Sequence, residues 1–238
     1  MVENTNMPSS TRLLKVKDRI RFACQAAGRD PAEVQLIAVS KTQSVEAIEP
    51  VYDAGQRHFG ENYVQELRDK GDSFVARTVN DITWHFIGRI QSNKIKHIAA
   101  YASYVHAVEK LSHAQALAKH ARGPIKIFVS VNIAKEESKG GVAPEDVLER
   151  CAEFDAIENL ELCGLMCMPP RSTDPEHSAP YFEEMAALAS AGRDRGMALT
   201  ELSMGMSHDF QVAIRYGATW IRVGSAIFGA RPALPNQS

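Results

Sequence analysis

The order of apolar segments along this chain predicts an α/β fold, a single (β/α)8 TIM barrel with an extra N-terminal helix. Three observations lead there. Eight strand-like segments alternate with helical patterns, the count of a closed barrel. The first of them, Leu36-Ile37-Ala38-Val39, is apolar without alternation, as suits a parallel strand covered on both faces. No G-x-G-x-x-G follows it, where an open dinucleotide-binding sheet would carry one. A chain of 238 residues is a normal length for one barrel, and no composition shift marks a linker.

Taken in order, residues 1–10 are polar and proline-containing and read as a disordered leader, with the barrel over 11–231 and a loose tail at 232–238. Positions 12–27 set apolar and basic residues at helical spacing, and Gly28 offers a stop. Strands are expected at 35–40, 58–60, 83–88, 104–108, 125–132, 160–166, 199–204 and 220–224. Helices are expected at 45–54, 63–70, 91–99, 110–120, 144–154, 180–195 and 209–216. The proline-rich stretch 169–175 follows the sixth strand and so falls on the C-terminal rim, where ligand loops belong.

Composition excludes several classes. Hydrophobic content of 45% and charged content of 24% are those of a soluble globule. A net charge of -2 gives no electrostatic pull toward nucleic acid or anionic membrane. No apolar run has the length of a membrane span and the N-terminus lacks a signal-peptide core, so a cytoplasmic protein is expected. Cys24, Cys151, Cys163 and Cys167 form no C-x-x-C pair and read as buried reduced thiols. The histidines show no metal-ligand spacing, so no metal is expected.

Candidate chemistry gathers where strands end, because barrel active sites form there. Lys41 follows the first strand. Such a lysine is either a solvated edge residue or an amine whose desolvation makes it nucleophilic enough for a Schiff base. Arg222-Val223-Gly224-Ser225 ends the eighth strand in glycine and serine before a short turn, a pattern for an anion site or for a tight turn alone. Ser203-Met204-Gly205-Met206-Ser207 sets two more hydroxyls on the adjacent rim. Arg222, in a barrel mouth, needs an acceptor or a counter-charge. Asn62 follows the second strand as helix cap or cavity group, with Glu61 an alternative cap. His85 reads as a core histidine and His106 as a residue ending the fourth strand. Lys139 lies in a polar rim loop, as a second amine near the site or an exposed lysine.

Several motifs together resemble a known family. Ala38-Val39-Ser40-Lys41-Thr42, Phe59-Gly60-Glu61-Asn62-Tyr63-Val64-Gln65-Glu66, Trp84-His85-Phe86-Ile87-Gly88, Gln91-Ser92-Asn93-Lys94, Gly164-Leu165-Met166, Leu202-Ser203-Met204-Gly205-Met206-Ser207 and Arg222-Val223-Gly224-Ser225-Ala226-Ile227-Phe228-Gly229 resemble the pyridoxal-phosphate homeostasis protein family over 36–229. The resemblance implies a fold type III barrel like the N-terminal domain of alanine racemase. It implies pyridoxal 5'-phosphate (PLP) as a Schiff base on Lys41, Arg222 at the ring nitrogen, and cofactor contacts from Asn62, Ser203, Met204, Ser207, Gly224 and Ser225. Ser225 stands where relatives often have threonine, which keeps the hydroxyl. The implied role is intracellular PLP homeostasis, buffering the cofactor and passing it transiently to PLP-dependent apoenzymes, with little or no catalysis.

Racemases bring a second base from a β-rich domain, and none follows the barrel here, so a monomer without racemase turnover is expected. The alternatives are an amino-acid racemase using His106 or Tyr63 as second base, and an aldolase-like barrel using Lys41 on a sugar phosphate.

Overall fold

The computed structural model describes residues 7–229. The leader reading over 1–6 and the tail beyond 229 lie outside the described residues. The elements run α1 (Ser9–Ala26), β1 (Gln35–Val39), α2 (Val45–Asp53), β2 (His58–Glu61), α3 (Val64–Ala76), β3 (Thr83–Phe86), α4 (Ile95–Tyr101), β4 (Tyr104–Val108), α5 (Leu111–His120), β5 (Ile125–Val131), α6 (Val147–Asp155), β6 (Leu160–Cys167), α7 (Ala179–Asp194), β7 (Glu201–Met206), α8 (Phe210–Arg215), β8 (Trp220–Val223) and α9 (Ser225–Phe228). The strands close in sequence order into one parallel barrel, β8 returning to pair with β1. The expected strand order holds, with ends shifted by one or two residues. One boundary moves the other way: Ser9 and Ser10, read as leader, already belong to α1.

Period-two alternation sorts strand residues between an outer apolar layer and the barrel interior. Leu36 and Ala38 face outward into the large cluster between sheet and helices. Ile37 joins Phe128, Cys163, Met166 and Trp220 in a smaller cluster inside the barrel, with Val39 packed against it. All four cysteines are buried and unpaired. No helix among the described residues is long and apolar enough to cross a membrane.

The helix after β8 is four residues long, too short to cover its share of the barrel. α1 takes that place. It buries Leu13, Val16, Ile20 and Cys24 on one face, a stripe at three- and four-residue spacing. Arg12 near its start donates Nε to the Ile227 carbonyl of α9 at 2.6 Å. Arg29, just past its end, donates Nη1 to the Ile214 and Ala218 carbonyls at 2.8 Å each. The extra helix thus runs from the C-terminal rim to the N-terminal mouth, as a barrel's eighth helix does.

If α1 completes the barrel, Leu13→Ala, at a fully buried position, lowers the unfolding free energy by about 2–5 kcal/mol. Leu14→Ala, at 54% exposure, changes it by no more than about 0.5 kcal/mol. Urea titrations of the two variants check this.

Candidate functional site

The seam between β1 and β8 builds the site. Ile37 is in register with Arg222 and Ala38 with Val223, so the chain leaving β1 at Lys41 emerges beside the chain leaving β8 at Gly224 and Ser225. Both line a cavity of about 380 Å³ at the C-terminal rim, together with Asn62, Met166, Ser207 and Arg222. Pro170, Arg171 and Ser172, from the loop after β6, line it too.

The segment after β7 reaches the cavity because the strand is irregular. Its register against β8 shifts between Ser203 and Met206, and Gly205 sits at φ 90. A side chain there would be strained by that φ, and its Cβ would meet the Ala213 Cβ at 2.6 Å and the Phe210 Cα at 2.9 Å. Asp209 holds the turn, accepting from the Met206 amide at 2.7 Å and the Ser178 hydroxyl at 2.9 Å. Ser207 is thereby brought to β8, where its hydroxyl accepts from the Gly224 amide at 3.3 Å. That long contact is of a kind an incoming anion can replace. Beside it, the amides opening α9 have no acceptor within the helix.

Arg222 forms the floor. It is buried, yet no carboxylate lies within ion-pair distance among the described residues. Its Nη1 donates to the Ser203 hydroxyl at 2.6 Å and its Nη2 to the Cys167 carbonyl at 2.9 Å. A buried cation held by neutral acceptors is costly, and it favours an acceptor or anion in the cavity that it lines. Asn62 makes a similar demand: its side-chain oxygen is buried and has no hydrogen-bond partner among the described residues. Gly88 lets it sit there, because a Cβ at that position would overlap the Asn62 carbonyl.

Beneath the Lys41 loop lies a polar cluster that sequence reasoning missed. Lys70, on α3, donates to the Ser40 carbonyl at 2.8 Å, to Glu61 Oε1 at 2.8 Å and to Glu66 Oε2 at 2.7 Å. The Ser40 hydroxyl donates to the same Glu61 oxygen at 2.6 Å. Glu66 Oε2 also accepts from the Thr42 amide at 2.7 Å. Both neighbours of Lys41 are therefore clamped, and Thr42, a β-branched residue, is held at φ 64. The readable signal was Glu66 and Lys70, four apart on one helix. Burial pushes the Glu61 carboxyl up to about 7, against the Lys70 ammonium and the hydrogen bonds from Lys70 and Ser40, which pull it down.

Of the residues singled out from the sequence, Lys41, Asn62, Ser207, Arg222, Gly224 and Ser225 line one cavity. Ser203 lies one layer beneath, under Arg222. Met204 does not face the site: it packs, wholly buried, in the outer cluster, because alternation along β7 turns it away from Ser203. Neither Glu61 nor Asn62 caps α3, whose N-cap is Tyr63; Glu61 ends β2 and pairs with Lys70. His106 lies within β4 rather than on the rim, buried and bonded to Ser203. Tyr63 is 53% exposed and off the cavity lining. Lys139 is also off it, paired with Glu136 at 2.6 Å.

The fold and this rim define the class. Residues 12–232 match the family described as alanine racemase, N-terminal domain. An alanine racemase from Clostridium difficile 630 shares the fold, with a TM-score of 0.71 at 13% identity over 91% of this chain and 58% of that one. A pyridoxal phosphate homeostasis protein from Pseudomonas aeruginosa is 43% identical over 222 residues, 92% of this chain and 94% of its own length. PipY from Synechococcus elongatus PCC7942, solved with PLP bound, superposes with a TM-score of 0.78 at 33% identity over 90% of this chain and 100% of that one. The chain belongs to the pyridoxal phosphate homeostasis protein family.

The Glu61 carboxyl gives a pH prediction. Its ordinary value is 4.5 and burial raises it to about 7 in the fold, so the folded state holds the proton more tightly. The stability it contributes is fully present below about pH 4.5 and is lost as pH rises through about 7. Glu61→Gln, which cannot ionise, lacks this slope. The stability difference between wild type and variant should change by on the order of 2 kcal/mol between about pH 5 and about pH 8, read by urea unfolding.

Proposed function

We propose that this protein binds PLP as a Schiff base on Lys41 and serves PLP homeostasis in the cytoplasm. In this role it buffers the cofactor and passes it to apoenzymes, with little or no turnover of its own. The observation that carries the reading is the β1–β8 seam, which brings an amine, an anion-holding turn and a donor-only guanidinium to one cavity. PLP supplies, when bound, an aldehyde that condenses with an amine and a ring able to draw electrons.

The residues present suit that group. Lys41 supplies the amine. Ser207, Gly224 and Ser225 supply hydroxyl and amide donors for a phosphate. Arg222 presents a permanently protonated group that needs an acceptor, and the unpartnered Asn62 oxygen needs a donor. Met166 gives the cavity an apolar wall. Because Arg222 donates and does not accept, it leaves a ring nitrogen unprotonated, and such a ring stabilises carbanions poorly. His106 and Tyr63, the second bases that a racemase reading would need, both lie off the cavity lining. That placement supports a carrier.

An absorbance titration tests the reading. Added PLP should give an imine band at the edge of the visible, lost in Lys41→Ala; a wild-type protein that stays colourless overturns it. Removing both hydroxyls in Ser207→Ala/Ser225→Ala should weaken PLP binding by about tenfold or more while leaving the band at saturation. Light scattering on the purified protein should give the mass of one chain, in keeping with a monomer.

A further inference from the structure

Three histidines run in file through the barrel interior, from its N-terminal mouth to the floor of the cavity. His58 Nδ1 lies 3.0 Å from His85 Nε2, and His85 Nδ1 lies 2.9 Å from His106 Nε2. His106 Nδ1 lies 2.8 Å from the Ser203 hydroxyl, which accepts from Arg222 at 2.6 Å. His85 and His106 are wholly buried. His58, half-buried, borders a second cavity of about 300 Å³ at the opposite mouth, which Lys17 and Arg57 also line.

Nothing in the proposed function uses these rings, and for packing alone phenylalanine would cost less, because every buried ring nitrogen must be satisfied. Their orientations are fixed by aromatic neighbours. His85 stacks on Tyr104 with centroids 4.5 Å apart, His106 on Phe128 at 4.4 Å, and His58 meets the Trp220 ring edge-on at 5.0 Å.

The direction of hydrogen bonding through the file follows from which atoms can only donate. Guanidinium nitrogens have no acceptor, so Ser203 accepts from Arg222. The remaining partner of that hydroxyl among the described residues is His106 Nδ1. If Nδ1 carried a proton, Ser203 would accept both bonds and its own hydrogen would be left without a partner in a buried site. The hydroxyl therefore donates to Nδ1. His106 must then donate from Nε2 to His85 Nδ1, and His85 from Nε2 to His58 Nδ1. A doubly protonated ring would set two donors against each other at one link. Neutrality has further support: burial and then the Arg222 charge hold His106 well below the usual histidine range, and burial with its two histidine neighbours does the same for His85.

We propose that His106, His85 and His58 are positioning residues for Arg222. The file of neutral rings imposes one hydrogen-bond direction on Ser203, keeps its lone pairs toward the guanidinium and so holds Arg222 at the ligand cavity. The effect on ligand binding rests on the function proposed above, whereas the direction of the bonds does not.

Nitrogen NMR of the full chain with labelled histidines, without cofactor, tests the direction. All three rings should be neutral with the proton on Nε2. Ser203→Ala should move the His58 signals, and should cease to move them once His85→Phe breaks the file. A proton on Nδ1 of His106, a charged ring in the file, or His58 signals indifferent to Ser203→Ala overturns the proposal. A PLP titration tests the consequence. His106→Phe should weaken binding about tenfold with the Lys41 imine band retained, and His106→Asn, whose side-chain oxygen restores an acceptor toward Ser203, should recover most of that loss. Unchanged affinity in a folded His106→Phe overturns the positioning role. Wild-type protein that binds no PLP sinks the proposed function, and the NMR result still decides the hydrogen-bond direction.

Discussion

The pairing of β8 with β1 is the constraint on which the rest of this molecule depends. It closes the barrel, and in doing so joins the two ends of the described chain into one wall. Lys41 is positioned by the start of the sequence and Gly224 by its end, and neither local segment builds a site alone. Contacts of such long sequence separation form only after much loop entropy has been lost. Site and barrel therefore form together.

Two buried cations show different solutions to one electrostatic problem. Lys70 is compensated by two carboxylates, at 2.8 and 2.7 Å, and by a carbonyl. Its role is internal, since it staples the chain on one side of Lys41 while Glu66 holds the other. Arg222 is met by a hydroxyl and a carbonyl instead, with the Asp209 carboxylate acting on it only from beyond ion-pair distance, which leaves its charge partly compensated toward the cavity. Where the compensation is complete the protein has a support; where it is partial it has a place for a ligand.

Much of this was legible in the sequence. The alternation of apolar segments predicted the barrel, and motifs at strand ends located six residues that line one cavity. What escaped the reading was set by three-dimensional context. Met204 lies between two residues tied to the site, yet strand alternation turns it outward. Glu61 stands where helix caps stand, but pairs instead with a lysine on the next helix. His58, His85 and His106 fall on separate strands at no diagnostic spacing, and only closure brings their rings into line. The role of α1 was also hidden, because a helix of four residues after β8 leaves a vacancy that no local pattern announces.

That substitution has a consequence for synthesis. Among the described elements α1 is made first, and it docks against α8 and α9, which are among the last to follow it. Until they arrive, α1, with its stripe of Leu13, Val16, Ile20 and Cys24, has only α2 and the turn after α1 to pack on, and most of its wall is missing. Through much of translation this stripe is an apolar surface that a holdase chaperone would meet, and one from which premature association between nascent chains would start.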